Sequence, residues 1–383
     1  GTNSTLGGGA VYVATGNVEF VRTSFMRNVA GATVTDNVIV SGGAVSVNGA
    51  GTVVSFANCA FIGNAVRLEQ KSIFTTLGYG GAVDLRAGSA SFANCRLVGN
   101  GVEAIGPISS SRREARGGGI AGTGTLVLSN TTLSENWLTA QTARQGSGLY
   151  VVTGGSAQAH NSVFWQNQGA AQIQTASGAT ATVSHAIVEG GYASGTAVLD
   201  ADPVFNRPPA AGPDNEWGTA DDDYGNLRLE PGSPAIDFGD AALLPADSLD
   251  LDGDGNTAEP LPLDLDGEPR VQGPSVELGP YEGAGTTPNE PGADLPAAFA
   301  LHAPVPNPTS AIASLRFDLP APVSVRAEVF DVLGRRVAVL HDGALAAGTH
   351  PLTLDARALP SGVYLVRVQA GEAVAVRAVT VRR

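Results

Sequence analysis

A series of asparagines at near-constant spacing governs what this chain can become. Asn28, Asn64, Asn100, Asn136 and Asn167 are separated by 36, 36, 36 and 31 residues. Each closes a short apolar step: Thr23-Ser24-Phe25-Met26-Arg27-Asn28, Cys59-Ala60-Phe61-Ile62-Gly63-Asn64, Cys95-Arg96-Leu97-Val98-Gly99-Asn100, and so on. A degenerate sixth copy runs from Ser184 to Gly190. A second step recurs beside it, as Gly8-Gly9-Ala10-Val11, Gly42-Gly43-Ala44-Val45, Gly80-Gly81-Ala82-Val83, Gly118-Gly119-Ile120 and Gly146-Ser147-Gly148-Leu149. Self-similarity at this period is the signature of a repeat architecture.

Between these steps apolar and polar residues alternate, as in Thr125-Leu126-Val127-Leu128-Ser129. Alternating β-branched runs bounded by Gly and Asn predict strands, and helical periodicity is absent. Only 15% of residues are charged, which also argues against long helices or coiled coils. A propeller blade needs four strands per repeat, and these repeats are read as holding about three. Stacked coils instead place like residues above like at about 4.8 Å, so apolar rungs pack and asparagine amides form a ladder. The expectation is an all-β chain: a right-handed parallel β-helix over 1–199, with five to six coils. The extra length after each Asn (29–41, 65–79, 101–117, 137–145) is expected to emerge as loops on one side.

This pattern resembles the parallel β-helix proteins of the pectin-lyase-like superfamily. The resemblance implies the fold, and it raises two polysaccharide chemistries. Hydrolases of this shape use clustered carboxylates. Lyases use acidic calcium ligands and an Arg or Lys base. Residues 1–199 hold only two aspartates, Asp36 and Asp84, and the glutamates Glu19, Glu69, Glu103, Glu114, Glu135 and Glu189 are scattered. A hydrolase is therefore poorly supported. Asp84 and Arg86 share a strand face, and with Glu103 and Arg112 they form the one low-ranked catalytic candidate for a lyase; a structural ion pair is the simpler reading. Trp137, Trp165 and Tyr150 offer a sugar-stacking platform or pack under a loop. His160 and His185 lack the partners of a zinc site. Cys59 and Cys95 occupy one repeat position a coil apart, close enough for a disulfide, but stacked side chains point the same way and favour a buried thiol rung.

Charge is unevenly placed. Residues 1–199 carry 8 acids and 10 bases, residues 200–300 carry 22 and 3, and residues 301–383 carry 6 and 9, which sums to the net charge of -14. The acidic zone 200–283 is irregular and Pro-rich and is expected to close and cap the β-helix. It includes Asp264-Leu265-Asp266-Gly267-Glu268-Pro269-Arg270 and Val276-Glu277-Leu278-Gly279-Pro280-Tyr281-Glu282. This succession resembles the closing segment of secreted bacterial β-helix proteins of the "choice-of-anchor" type, which implies a surface protein and no particular reaction. Within it, Asp250, Asp252, Asp254, Asn256 and Glu259 follow the alternating oxygen pattern of a calcium loop, with Leu261 where an EF-hand has its bidentate Glu. Asp214, Asp221, Asp222 and Asp223 form a weaker candidate. Any calcium here is expected to be structural.

Residues 284–298 are expected to be a linker. From 299 to 383, alternating strands with turns every 8–12 residues predict a small Ig-like β-sandwich. Pro306-Asn307-Pro308, Asp331-Val332-Leu333-Gly334-Arg335 and Leu359-Pro360-Ser361-Gly362-Val363-Tyr364 closely resemble the type A C-terminal sorting domain of type IX secretion cargo. That resemblance implies a Bacteroidota-like Gram-negative host, engagement of the secretion machinery and a sortase, and attachment to the cell surface. No apolar run is long enough to span a membrane, and the overall charge disfavours nucleic acid. The chain shows no signal peptide, and its start at Gly1 is read as a processed or truncated end. The sequence therefore points to a secreted or cell-surface protein, non-enzymatic and glycan-binding, adhesive or structural, with a calcium-assisted polysaccharide lyase or another carbohydrate enzyme as the alternative.

Overall fold

A computed structural model describes residues 4–71, 73–106, 112–283, 299–304, 306–310, 312–320, 323–345, 348–357, 359–371 and 373–382. The expected linker 284–298 lies outside them. The chain divides into two compact units, Gly1–Thr286 and Thr287–Arg383.

The first unit is a parallel β-helix. Its strands stack across coils in register, and the register offset is the sequence period: Val53–Ala57 pairs with Ser89–Ala93, which pairs with Thr125–Ser129. Four parallel sheets of five, four, six and eleven strands run along the coils. A full coil holds five short strands rather than about three; the second coil has Val38–Ser41, Val45–Val47, Val53–Ala57, Ala60–Ile62 and Ala65–Gln70. Single left-handed residues divide the runs, such as Gly42 at φ 64°, Asn58 at 54° and Gly63 at 60°. Gly and Asn adopt that conformation at least cost and take many of the corners, while Arg22, Arg27, Glu135, Gln166 and His185 take equivalent ones.

Among the described residues, the segments after each Asn are largely strand rather than loop. They form two further sheets, including Val29–Val34, Ala65–Gln70, Gly101–Ile105 and Trp137–Ala140. Their inward residues Val66, Leu68, Val102, Ala104 and Leu138 make a side core with Val38, Val40 and Ala115. The alternation within Ala65-Val66-Arg67-Leu68-Glu69 already carried that signal.

Phenylalanines stack coil on coil in the main core, with Phe20–Phe56 centroids at 5.2 Å, Phe56–Phe92 at 4.9 Å and Phe25–Phe61 at 4.8 Å. The predicted amide ladder is present. Each Asn Nδ2 donates to the Oδ1 of the next, over 2.7–2.9 Å, from Asn28 to Asn167. Cys59 and Cys95 are buried free thiols. Their rung needs a small donor: Cys59 Sγ donates to the Ala57 carbonyl, as Thr131 Oγ1 does to Ser129 and Ser162 Oγ to His160.

Residues 200–283 run back along the flank of the coils, where a plug across the last rung was expected. Phe205, Leu227, Ala235, Leu278 and Tyr281 pack on the outward residues Ala60, Ile62, Val98, Val163 and Ile187. Leu251 and Leu261 pack on Ala57, and Arg22 in the first coil donates to the Leu251 carbonyl. The anchor is a second asparagine column, Asn58, Asn94, Asn130 and Asn161, each at a left-handed corner. Asn94 donates to the Leu263 carbonyl, Asn130 to Glu277, and Asn161 to Asp240.

The second unit contains two antiparallel sheets, one of three strands and one of four. Leu315, Phe317, Val325, Val329, Leu354, Val366, Val368 and Val379 form their shared core. In the Asp331–Arg335 turn, Asp331 Oδ1 accepts from the Leu333 and Arg335 amides, and Gly334 takes φ 77°.

Candidate functional site

The four catalytic candidates separate into two places. Asp84, on Val83–Leu85, is 1% exposed and ion-pairs with Arg86. Burial pushes the Asp84 carboxyl up, opposed by the Arg86 charge and by hydrogen bonds from Arg86 and Ser41. The Arg86 guanidinium lies 4.6 Å from the Tyr79 ring centroid, and Arg116 approaches Tyr79 and Tyr150 at 5.3 and 5.5 Å. Arg116 also donates to the Tyr79 hydroxyl over 2.7 Å, and Glu114 pairs with both Arg112 and Arg116. Arg86 is thus engaged by a carboxylate and an aromatic face. The cluster resembles a staple between two sheets more than a free base awaiting substrate.

Glu103 belongs to a different surface. In the Gly101–Ile105 strand it stacks in register between Arg67 and Thr139. These residues line a groove of about 240 Å³ with Trp137, Gln168, Asn215, Glu216 and Trp217. A second depression of about 400 Å³, bordered by Gly31, Thr33, Glu69 and Ile105, shares Arg67 and Glu103 with the first. The two are therefore continuous along the sheet.

Local sequence explains the groove's shape. Gly101 lets the Trp137 indole lie flat across the neighbouring coil, since an added Cβ would sit 2.0 Å from the ring. Trp137 Nε1 donates to the Gly99 carbonyl over 3.3 Å. The flank segment supplies the opposite wall. Trp217 covers Gly99 and Tyr224 covers Gly63, and Arg67 donates to the Trp217 carbonyl over 3.2 Å. The same corner column continues to Glu135, whose carboxylate accepts from Gln168 at the groove. Burial, with a further push from Glu189, raises the Glu135 carboxyl to about 7. The groove thus combines an indole face, a guanidinium, carboxylates, a hydroxyl and an amide, which suits a polyhydroxylated ligand more than an apolar one.

Arg67, Thr139, Gln168 and Trp217 were not singled out from sequence. The spacing of 67, 103 and 139 repeats the asparagine period, so the column was visible. The contribution of Trp217 was not, because it comes from a segment 150 residues from Arg67.

The calcium candidates also differ in arrangement. Ligand oxygens of Asp250, Asp252 and Asp254 lie within 4.8 Å of one another, and so do those of Asp247, Asp252 and Glu259. Asn256 sits beside them, its Nδ2 donating to Glu259. Asp214, Asp221, Asp222 and Asp223 form no such group among the described residues. Asp222 Oδ2 accepts from Gly218, Thr219 and Tyr224, and Asp223 pairs with Arg207 at 2.9 Å.

A third cluster is wholly buried. Arg270 pairs with Glu282 at 2.9 Å and donates to Asn94 Oδ1 and the carbonyls of Glu277 and Gly279. Asp264 Oδ1 accepts from the Asp266 and Glu268 amides, and its Oδ2 accepts from Glu282 N. Burial raises Glu277 to about 7 and Glu282 to about 8. These residues lock the closing segment to the second asparagine column through Asn94.

Comparison with known proteins bears on the second unit. Residues 305–382 match the secretion system C-terminal sorting domain. The chain is accordingly exported through the type IX system to the extracellular space or the outer-membrane surface, and the sorting domain is what meets the secretion machinery. No curated protein and no solved structure matches the chain. No helix among the described residues is long and apolar enough to cross a membrane.

Proposed function

We propose that this secreted protein binds an extended glycan, without cleaving it, along the groove over the Ala65–Gln70, Gly101–Ile105 and Trp137–Ala140 strands. The observation that carries this reading is the Trp137 indole laid beside Arg67, Glu103, Thr139 and Gln168 in a continuous open groove. Sugar rings stack on indole faces through their C–H surfaces, while hydroxyls take charged and amide partners. A groove open along the rod accepts a chain rather than a single sugar. The resemblance of the coils to pectin-lyase-like proteins supports a polysaccharide as the ligand class. Stacking in register of Arg67 on Glu103 favours binding over acid-base catalysis, since it juxtaposes opposite charges across coils.

The test is a panel of soluble polysaccharides titrated onto the purified chain, with polymer length measured afterwards. Trp137→Ala and Arg67→Ala should each weaken binding at least about tenfold, by loss of stacking and of charged hydrogen bonds. Release of reducing or unsaturated ends, abolished by Glu103→Gln or Glu135→Gln, would overturn the reading in favour of a carbohydrate enzyme. Binding insensitive to Trp137 and Arg67 would move the site elsewhere.

A further inference from the structure

The flank segment carries a carboxylate that the calcium-loop pattern does not include. Asp247 lies three residues before the alternating aspartates, in the chain that packs on the coils. It is 1% exposed. Its Oδ2 accepts from the Leu251 amide over 2.8 Å, but its Oδ1 is buried without a hydrogen-bond partner. Glu259 Oε1 is likewise buried and without a partner. Both carboxylates converge with Asp252 within 4.8 Å. That separation is about twice a calcium–oxygen distance of roughly 2.4 Å, so three such oxygens fit around one ion. Leaving a buried carboxylate oxygen unpaired costs free energy that a structure retains only with compensation.

We propose that one calcium ion binds between Asp247, Asp252 and Glu259, with Asp250 and Asp254 at its solvent side, and closes the loop of the flank segment that packs on the β-helix. None of the five carboxylates has an ion-pair partner among the described residues. All five donors are hard oxygens, which suits calcium over zinc or copper. The ion ties the Asp247 end of the loop to the Glu259 end. Between and just beyond them lie Leu251 and Leu261, the residues that pack on Ala57. Asp247 N also donates to the Glu259 carbonyl over 2.8 Å, so the two ends are already adjacent. The site is partly open and mostly exposed on the Asp250–Asp254 side, which places its affinity near that of extracellular modules, about 0.1–1 mM.

The experiment uses the full chain. Calcium is titrated calorimetrically, and thermal unfolding is followed in calcium and in EDTA, with magnesium as a comparison. One calcium per chain is expected. At a calcium concentration a hundredfold above the dissociation constant, the folded-to-unfolded ratio should rise about a hundredfold. Asp247→Asn and Asp252→Asn should abolish that gain. Asp214→Asn should retain it. In EDTA, Asp247→Asn should be at least as stable as the parent, because it removes one of several crowded like charges. This crossover separates a ligand from a residue needed only for folding. Absence of calcium-dependent stabilisation up to 10 mM (about tenfold above that range), equal stabilisation by magnesium, or an Asp247→Asn chain that keeps the gain would each overturn the proposal.

Discussion

Asn100→Ala tests whether the amide ladder carries the stability of the coils. Asn100 is 0% exposed and holds four side-chain hydrogen bonds. Its Oδ1 accepts from Asn64 N at 3.0 Å and Asn64 Nδ2 at 2.8 Å, and its Nδ2 donates to the Phe61 carbonyl and Asn136 Oδ1, both at 2.9 Å. Alanine strips the acceptor from the buried Asn64 amide, while Asn64 Nδ2 keeps the Phe25 carbonyl and Asn136 Oδ1 keeps Asn100 N. An orphaned buried donor costs about 1–3 kcal/mol, and each further lost bond about 1 kcal/mol. The expected loss is about 4–6 kcal/mol. Asn28 sits at the ladder's end, half-buried, and its side chain donates once, to Asn64 Oδ1. Asn28→Ala should cost only about 1 kcal/mol. The three tryptophans, Trp137, Trp165 and Trp217, all lie in the first unit, so their fluorescence in urea reports that unit alone. In a solenoid an interior fault can also split the transition, because each coil is held mainly by its neighbours. Equal losses for Asn100→Ala and Asn28→Ala would refute the ladder argument.

The buried pair Glu277 and Glu282 takes up protons more tightly folded, at about 7 and about 8, than at the ordinary value of 4.5. Their contribution is therefore complete below about pH 4.5 and is lost as pH rises through 7 and 8; the urea midpoint of the parent should fall more steeply from pH 5 to 9 than that of Glu277→Gln/Glu282→Gln. Arg270→Met removes one member of a buried ion pair and should cost about 3–5 kcal/mol at pH 8, less at pH 5 where Glu282 is neutral, as chemical denaturation at the two pH values will read. Gly99→Ala meets Trp217 at 2.4 Å from its new Cβ, in a backbone at φ 65°, so it should destabilise by about 2 kcal/mol or more and red-shift tryptophan emission. Cys95→Ser keeps a donor for the Ala93 carbonyl, as Ser162 does for His160, and should be milder than Cys95→Val by about 1 kcal/mol in the same urea assay.

The coil axis was legible because stacking repeats every side-chain environment once per turn. Asn28 to Asn167, the phenylalanine rungs and the Cys/Thr/Ser position all follow from that repetition. The strand count and the side core were misjudged for a related reason. Runs of three or four residues, such as Val38–Ser41, are too short to display a period, and single left-handed corners leave little trace beyond one Gly or Asn. The groove was half legible. Arg67, Glu103 and Thr139 recur at the coil period, whereas Trp217 arrives from a segment with no repeat. Asp247 had no signature at all, since its significance rests on burial and on the convergence of Glu259 from across the loop.

The second asparagine column joins these observations. Asn58, Asn94, Asn130 and Asn161 take left-handed corners and so turn their amides outward, away from the core ladder. An outward amide column along a sheet edge is a standing demand for hydrogen-bond partners. The flank segment meets it with main-chain carbonyls at Leu263, Asp264, Glu277 and Asp240, all outside its short antiparallel pair Phe205–Arg207 and Asn226–Leu229. The same docking brings Trp217 over Gly99 to wall the groove and brings Leu251 and Leu261 onto Ala57 beside the acidic loop. Loss of the Arg270 lock should therefore weaken glycan binding at Trp137 as well as stability, without any change to a groove residue on the coils. An Arg270→Met chain that remains folded at pH 5 and binds the glycan as the parent does would show that the flank segment is not part of the site.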